Sequence, residues 1–358
     1  MKPTKTPIRV DSLPTDTWFV GNRLFAVLVQ RFPNPKASVR WQPVDALLLR
    51  ASVGTGFRAP TLVDLYSPEA RGITSNGSRD LVRCPIGASG LVDCSTQFVT
   101  IGGGNRNLKP EKSTSSSVGF VLMPVKSVSV GVEYFNVEIK DIIRTGLSTA
   151  TILGDPTRYA SYIRRGPADG NASGVGPIVG IDQALTNLGK TIVNGYDLDL
   201  KARVYEGPQG RVTGRLNGTY FSTYKQQNLD GSFTNAIIQP AAIGFGVVLR
   251  WRHTASATWE SGPWSMTLSE NYQVGYQDLR TSLQPSSVTP RTVGSYETFD
   301  LQGSYRGIKN LKLSAGIKNV LDTNPPYTNY GAGFVGSYDL SYTDVRGRFG
   351  YVTAAYSF

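Results

Sequence analysis

From Ala46 onward the chain alternates apolar and polar residues in short runs, the period-2 pattern of strands with one greasy and one wet face. Between Thr191 and Tyr205 one parity carries Tyr196, Leu198, Leu200, Ala202 and Val204, and the other Asp197, Asp199, Lys201 and Arg203. The stretch 206–210 predicts a tight turn, after which Val212, Leu216 and Tyr220 oppose Arg211, Arg215, Asn217 and Thr219. The same rule separates Leu47, Leu49, Ala51 and Val53 from Arg50 and Ser52, and Val128, Val130, Val132 and Tyr134 from Ser129 and Glu133. It also separates Phe299, Leu301 and Tyr305 from Asp300, Gln302 and Arg306, and Leu311, Leu313 and Ile317 from Lys312, Ser314 and Lys318. One run fits less well. Met266, Leu268, Tyr272 and Val274 share their parity with Glu270, a charge that would be costly in lipid unless a bulge or the interface relieves it.

The runs come in pairs. Tight turns are predicted at 42–45, 124–127, 206–210, 261–263 and 307–310, and long polar segments at roughly 57–110, 144–190, 226–250, 279–295 and 323–346. Long connections at one end and tight turns at the other predict an antiparallel transmembrane β-barrel of the outer-membrane kind, with roughly 11 strands in residues 36–358. A soluble β-sandwich shares the alternation but rarely keeps its long loops on one side. By parity, roughly eleven basic residues face the lumen, among them Arg50, Arg203, Arg211, Arg215, Arg252 and Lys312, against roughly four acidic ones, Glu133, Asp197, Asp199 and Asp300. The expectation is a basic channel that favours anionic ligands, or basic residues that pair with neighbouring strands and with a missing segment.

Composition supports an all-β reading: 39 Gly, 18 Tyr and 14 Phe against 3 Met, with no segment near the roughly 20 apolar residues of a spanning helix. The net charge of +11 invites a nucleic-acid partner, but Lys and Arg are scattered without long runs, so none is expected. Cys84 and Cys94 bracket a short Gly/Ser-rich segment. A disulfide there implies an oxidising compartment and would stabilise the loop by roughly 2–3 kcal/mol; a free pair is the alternative, and zinc would need more ligands. No metal site and no cofactor are expected. His253, the single histidine, falls on the apolar parity beside Trp251 and reads as an interfacial residue. There is no GxSxG elbow and no credible base for a nucleophile, so no enzyme is expected. Residues 1–35 are polar and Pro-rich at the start, show no signal peptide and stay unassigned, which reads as a truncated or misread start.

The segment LLLRASVGTGFRAPTLVDL, Leu47 to Leu65, resembles the barrel domain of the TonB-dependent outer-membrane receptors. So do Asn107-Leu108-Lys109-Pro110-Glu111-Lys112-Ser113, Asn194-Gly195-Tyr196-Asp197, Lys318-Asn319-Val320-Leu321-Asp322 and the terminal aromatic Phe358, in family order. The resemblance implies barrel construction for Gly56, Phe57, Arg58, Pro60, Asn107, Leu108, Pro110, Glu111, Asn319 and Phe358. It also implies the C-terminal half of a barrel of about 22 strands, without the N-terminal plug. The implied whole is a bacterial outer-membrane receptor, a monomer in lipid. It binds a scarce nutrient such as an iron–siderophore, couples to TonB through the plug, and is read by the barrel assembly machinery at its last strand. This chain alone is then an inactive fragment. Haem receptors of the family place a His between the segments matching Phe57–Pro60 and Asn105–Leu108; none lies there. Tyr66, Tyr327, Tyr330 and Phe334 are the expected ligand-contacting aromatics, with an interfacial girdle as their alternative role. A passive porin-like barrel of about twelve strands, completed by Trp18 to Arg31, is the alternative architecture.

Overall fold

Strands with one apolar and one polar face pair most economically with their sequence neighbours, and the chain does this throughout, with two-residue turns at one end and long connections at the other. The computed structural model describes residues 17–20, 24–29, 34–84, 92–228, 231–237, 247–278, 291–329 and 337–358. Thirteen strands follow one antiparallel path: β1 (Thr17–Val20), β2 (Leu24–Val29), β3 (Lys36–Val44), β4 (Leu47–Arg58), β5 (Glu111–Val125), β6 (Val128–Lys140) and β7 (Lys190–Gly207). The path continues with β8 (Gly210–Gln227), β9 (Trp251–Ser261), β10 (Trp264–Gln273), β11 (Tyr296–Ile308), β12 (Leu311–Lys318) and β13 (Phe349–Tyr356). A short strand, Phe233–Asn235, adds to β8 off this path. β1 and β13 end the path, and among the described residues no pairing joins them.

Eleven of these strands lie beyond residue 35, as the alternation predicts. Ahead of them β1 and β2 form a hairpin that pairs onto β3, where the twelve-strand alternative needs a single strand. The hairpin escapes a parity reading because TWFV and LFAVLV are short and nearly continuous apolar runs. The tight turns are 45–46, 126–127, 208–209, 262–263 and 309–310. Gly210, Gly262 and Asn310 take positive φ there, which Gly and Asn adopt with least steric cost.

Register puts the two parities on opposite faces. Asp197 lies opposite Glu133 on one side and Thr219 on the other, and the Thr219 hydroxyl donates to its carboxylate at 2.7 Å. Ser52 meets Ser117 at 3.0 Å, Thr258 meets Thr267 at 3.0 Å, and Ser265 meets Ser304 at 2.7 Å, so the polar face is bonded laterally from strand to strand. The other face carries Val53, Val118, Leu122, Met266, Leu268 and Val352, all exposed. Buried hydrophobics gather elsewhere: Phe98, Leu147, Ile152, Leu153, Ile178 and Ile181 form the core cluster, and all lie in the connections between strands.

The exposed apolar face is bounded by aromatics. Tyr134, Tyr196, Tyr220 and Trp251 stand opposite one another across four strands, and Tyr272 continues the row beside His253. Trp264 and Tyr305, with ring centroids 4.5 Å apart, lie near the tight-turn end. Glu270 on this face is relieved by a partner and not by a bulge. The Nε2 of His253 lies 3.4 Å from its carboxylate, while His253 Nδ1 accepts the Trp251 indole N–H at 2.9 Å and its ring stacks on Tyr272. The indole N–H thus sets the imidazole tautomer that leaves an N–H on the Glu270 side. In β7 the pairing shifts between Asn194 and Gly195, and a Cβ on Gly195 would stand 2.1 Å from the Tyr220 carbonyl oxygen. Here the bulge demands glycine.

Candidate functional site

Polar residues of β4 to β12 line one cavity of about 900 Å³, which means that the sheet curves around its wet face. Charge is not uniform along this wall. Around the cavity stand Glu133, Asp197, Asp199, Asp300 and Asp344 with Arg50, Arg252 and Lys318, and Arg50 forms an ion pair with Glu133. The cations gather most densely at the tight-turn end. There a second cavity of about 600 Å³ is lined by Lys126, Lys201, Arg203, Arg211 and Arg215 against Glu260.

Above the opposite end, segments 59–110 and 141–189 fold together. Helix α1 (Leu62–Tyr66) begins with a capping box in which Thr61 and Asp64 bond each other's backbone N–H, and Ser148 caps α2 (Thr149–Gly154). A four-stranded sheet runs in the order Ile163–Arg165, Ile178–Asp182, Val99–Gly102, Ala70–Ile73, so each segment supplies two strands. Cys84 and Cys94 are joined by a disulfide with a Cα separation of 5.2 Å. Beside it Arg83, buried, donates to Asp93 at 2.8 Å and, through both terminal nitrogens, to Asp169 at 2.8 and 2.7 Å. Arg165 grips the fully buried Asp80 in the same bidentate way, at 2.7 and 2.9 Å.

The hydrogen bond from Arg83 holds the Asp169 carboxyl down at about 2. A carboxylate depressed in the folded state stabilises fully above its unfolded range, about 4, and loses that contribution as pH falls through the folded value. Amide protection in 141–189, corrected for the intrinsic pH dependence of exchange, is therefore expected to stay flat from roughly pH 5 to 8 and to fall between about 4 and 2. Loss of protection above pH 5 would assign the seam to another group.

The motif residues form the hinge between wall and cap. Arg58 at the end of β4 forks onto Glu111 at the start of β5, at 2.9 and 2.7 Å, and reaches Asp64 at 3.3 Å. Glu111 also accepts the Ile143 N–H at 2.8 Å, which ties the second long segment to the first. Gly56 faces the Ser113 hydroxyl and remains within β4, which pairs as far as Arg58, just inside the long segment expected from about residue 57. Phe57 is exposed, Pro60 lies outside the paired strand, and Pro110 directly precedes β5. The Asn107 N–H donates to the Asn105 side chain, and Leu108 is buried. Asn319, buried with φ near 50°, donates its backbone N–H to the Asp300 carboxylate at 2.8 Å and exchanges two bonds with Thr323, closing the end of β12. Phe358 is exposed and meets Tyr356 edge-on.

The candidate ligand aromatics fall in different places. Tyr66 ends α1, half-exposed, with the Arg106 guanidinium 5.0 Å from its ring. Tyr327 is also half-exposed. Arg291 lies 4.1 Å over its ring, donates to its carbonyl at 2.7 Å and pairs with buried Asp278 at 2.8 Å. Tyr330 and Phe334 lie outside the described residues. Arg291 and Asp278 have no periodic signal in the sequence; only the fold brings them to Tyr327. Among the described residues no group of three or more His, Cys, Asp and Glu is placed to hold a metal ion.

Comparison with known proteins gives a match to the family described as TonB dependent receptor-like, beta-barrel, over residues 9–320. By fold the chain is similar to a double mutant of the ferric enterobactin receptor PfeA of Pseudomonas aeruginosa. That likeness has 19% identity and a TM-score of 0.61, covering 91% of this chain and 40% of that one. It is also similar to the siderophore receptor PirA of Acinetobacter baumannii, with 16% identity and a TM-score of 0.63, covering 96% and 44%. For the copper transporter OprC the values are 17% and 0.52, covering 91% and 39%. This chain thus spans less than half the length of these structures, and at such identities the likeness concerns the fold alone. Among curated proteins none matches.

Proposed function

Because the chain belongs to the TonB-dependent receptor β-barrel family, we propose that it forms the C-terminal part of the wall of an outer-membrane receptor that imports a scarce ligand with TonB-coupled energy. The observation that carries this reading is the division of apolar surface. Large side chains such as Leu268 and Val352 are exposed along one face of the sheet, bounded by aromatic rows, while the buried core sits in the connections. Water would not favour that arrangement; lipid outside and water inside would. No helix among the described residues is long and apolar enough to cross a membrane, so the strands carry the spanning role in this reading. On the same reading the segments 59–110 and 141–189 are external, β13 is the strand recognised during assembly, and the lipid-facing histidine–glutamate pair lies just inside one aromatic row.

A ferric siderophore is the ligand class the reading favours, with Tyr66 and Tyr327 presenting half-exposed rings in the loops. PfeA and PirA are siderophore receptors, while OprC is a copper transporter, so the choice of cargo rests on loop residues and not on the fold. The test is uptake and binding of a panel of ferric siderophores by outer membranes that carry the protein as encoded in its genome. Tyr327→Ala should weaken binding about tenfold at unchanged membrane level, since stacking and desolvated cation–π contact are worth about 1–2 kcal/mol. A fall in membrane level at unchanged affinity would leave Tyr327 an anchoring residue, and no binding of any ferric complex would remove the siderophore.

A further inference from the structure

The tight-turn end of the concave wall carries two cations where a sheet would ordinarily avoid them. Lys201 on β7 and Arg215 on β8 are directly opposite each other, and like charges in that position are destabilising. The cations around them are neutralised: Arg211 holds Glu260 at 2.6 Å, and Arg203 holds Glu206 at 2.5 Å. The side chains of Lys201, Arg215 and Lys126, all exposed to the second cavity, make no ion pair or hydrogen bond among the described residues, and Arg215 feels Glu260 only at a distance, behind Arg211. Ser129, Thr213 and Ser256 place hydroxyls among the cations, with Met123 and Val128 as the apolar part of the lining. Farther up the same wall Asp197 stands beside Glu133, which Arg50 neutralises, so acidic residues gather there and the cationic excess stays at the tight-turn end.

We propose that Lys126, Lys201 and Arg215 form an oxyanion subsite at the tight-turn mouth of the barrel, taking a small multivalent phosphate or carboxylate anion. An arginine fork and two lysine point charges suit several oxygens on one group, and the hydroxyls complete its hydrogen bonding. The repulsion between Lys201 and Arg215 is then the cost of keeping the site charged while empty, and a bound anion removes it. The subsite stands on the wall geometry of β5 to β9 and holds whether or not the barrel imports siderophores. The same oxyanion chemistry could be supplied by acidic side chains of a polypeptide at this mouth, and the experiment separates the two sources.

The protein as encoded in its genome is purified from outer membranes in detergent, and its thermal unfolding is followed in chloride buffer and with inorganic pyrophosphate at matched ionic strength. Pyrophosphate should raise the melting temperature of the unsubstituted protein. Lys201→Gln and Arg215→Gln should each weaken pyrophosphate binding about tenfold, as expected for loss of a charge-assisted contact. In chloride each should melt above the unsubstituted protein, because the repulsion is gone. Lys312→Gln, an inward cation on β12 outside this cavity, should change neither. Lys201→Arg keeps the charge and should keep the binding, which covers the case in which a glutamine variant does not assemble. Equal stabilisation of all variants, or none, would overturn the subsite. Melting of Lys201→Gln and Arg215→Gln below the unsubstituted protein in chloride would overturn it in favour of a polypeptide carboxylate already in place.

Discussion

Replacing Asp80 with alanine is expected to open the seam between segments 59–110 and 141–189 while leaving the sheet paired. Asp80 is fully buried and receives both terminal nitrogens of Arg165, as well as the Val82 N–H at 3.1 Å. Its removal leaves a guanidinium, itself largely covered, facing a void, with only the Gly176 carbonyl at 2.9 Å as compensation. Breaking one side of such a pair typically costs about 3–5 kcal/mol. That exceeds what one capping box or one exposed ion pair in the same loops contributes. Hydrogen exchange and limited proteolysis should therefore show lost protection in both segments together, with β6 to β11 unchanged. Loss confined to the residues around position 80 would mean that the two segments are held by their apolar contacts alone. Asp80→Asn, which retains one acceptor, should give an intermediate result.

Gly195→Ala is expected to lower assembled barrel sharply. The new methyl would stand 2.1 Å from the Tyr220 carbonyl oxygen, 3.0 Å from the Phe135 ring and 3.1 Å from the Phe221 backbone, so relief requires moving the bulge itself. Overpacking of this kind costs roughly 1–3 kcal/mol when side chains can yield and more when backbone must. Gly303→Ala in β11 is the matched control, since nothing lies within 4 Å of a Cβ there. Heat-modifiability on gels and the outer-membrane level report both. Equal levels for the two variants would show that the bulge has enough freedom to accommodate the methyl.

The strands were legible because a period of two is insensitive to what lies across from it. Asp197, Asp199, Lys201 and Arg203 share a face by counting alone, and register later shows Thr219, Asn217, Arg215 and Thr213 across from them. The tight turns were legible from Gly, Pro and Asn for the same local reason. What the chain conceals is contact at long separation. Arg83 meets Asp169 across 86 residues, and Arg165 meets Asp80 across 85, with no periodic pattern linking the two members of either pair. The core residues Phe98, Ile152 and Ile181 sit in loops without any repeat to mark them. Glu270 stood out by parity, but its relief needed the diagonal neighbour His253 on the adjoining strand, and diagonal neighbours follow only from register. Of the candidate aromatics, Tyr66 and Tyr327 could be chosen for their loop positions. Their arginine partners Arg106 and Arg291 carried no comparable mark.

The common core of segments 59–110 and 141–189 bears on how such a surface can diversify. Phe98 comes from the first segment, and Leu147, Ile152, Leu153, Ile178 and Ile181 from the second. A loop transplanted alone from a relative would therefore bring part of a core, half of a four-stranded sheet and an arginine without its carboxylate. Grafts that exchange both segments together should retain stability, while single-segment chimeras should lose it. Sequence drift in one segment is likewise constrained by the other, so new loop surfaces on this scaffold are expected to need concerted replacement of the pair.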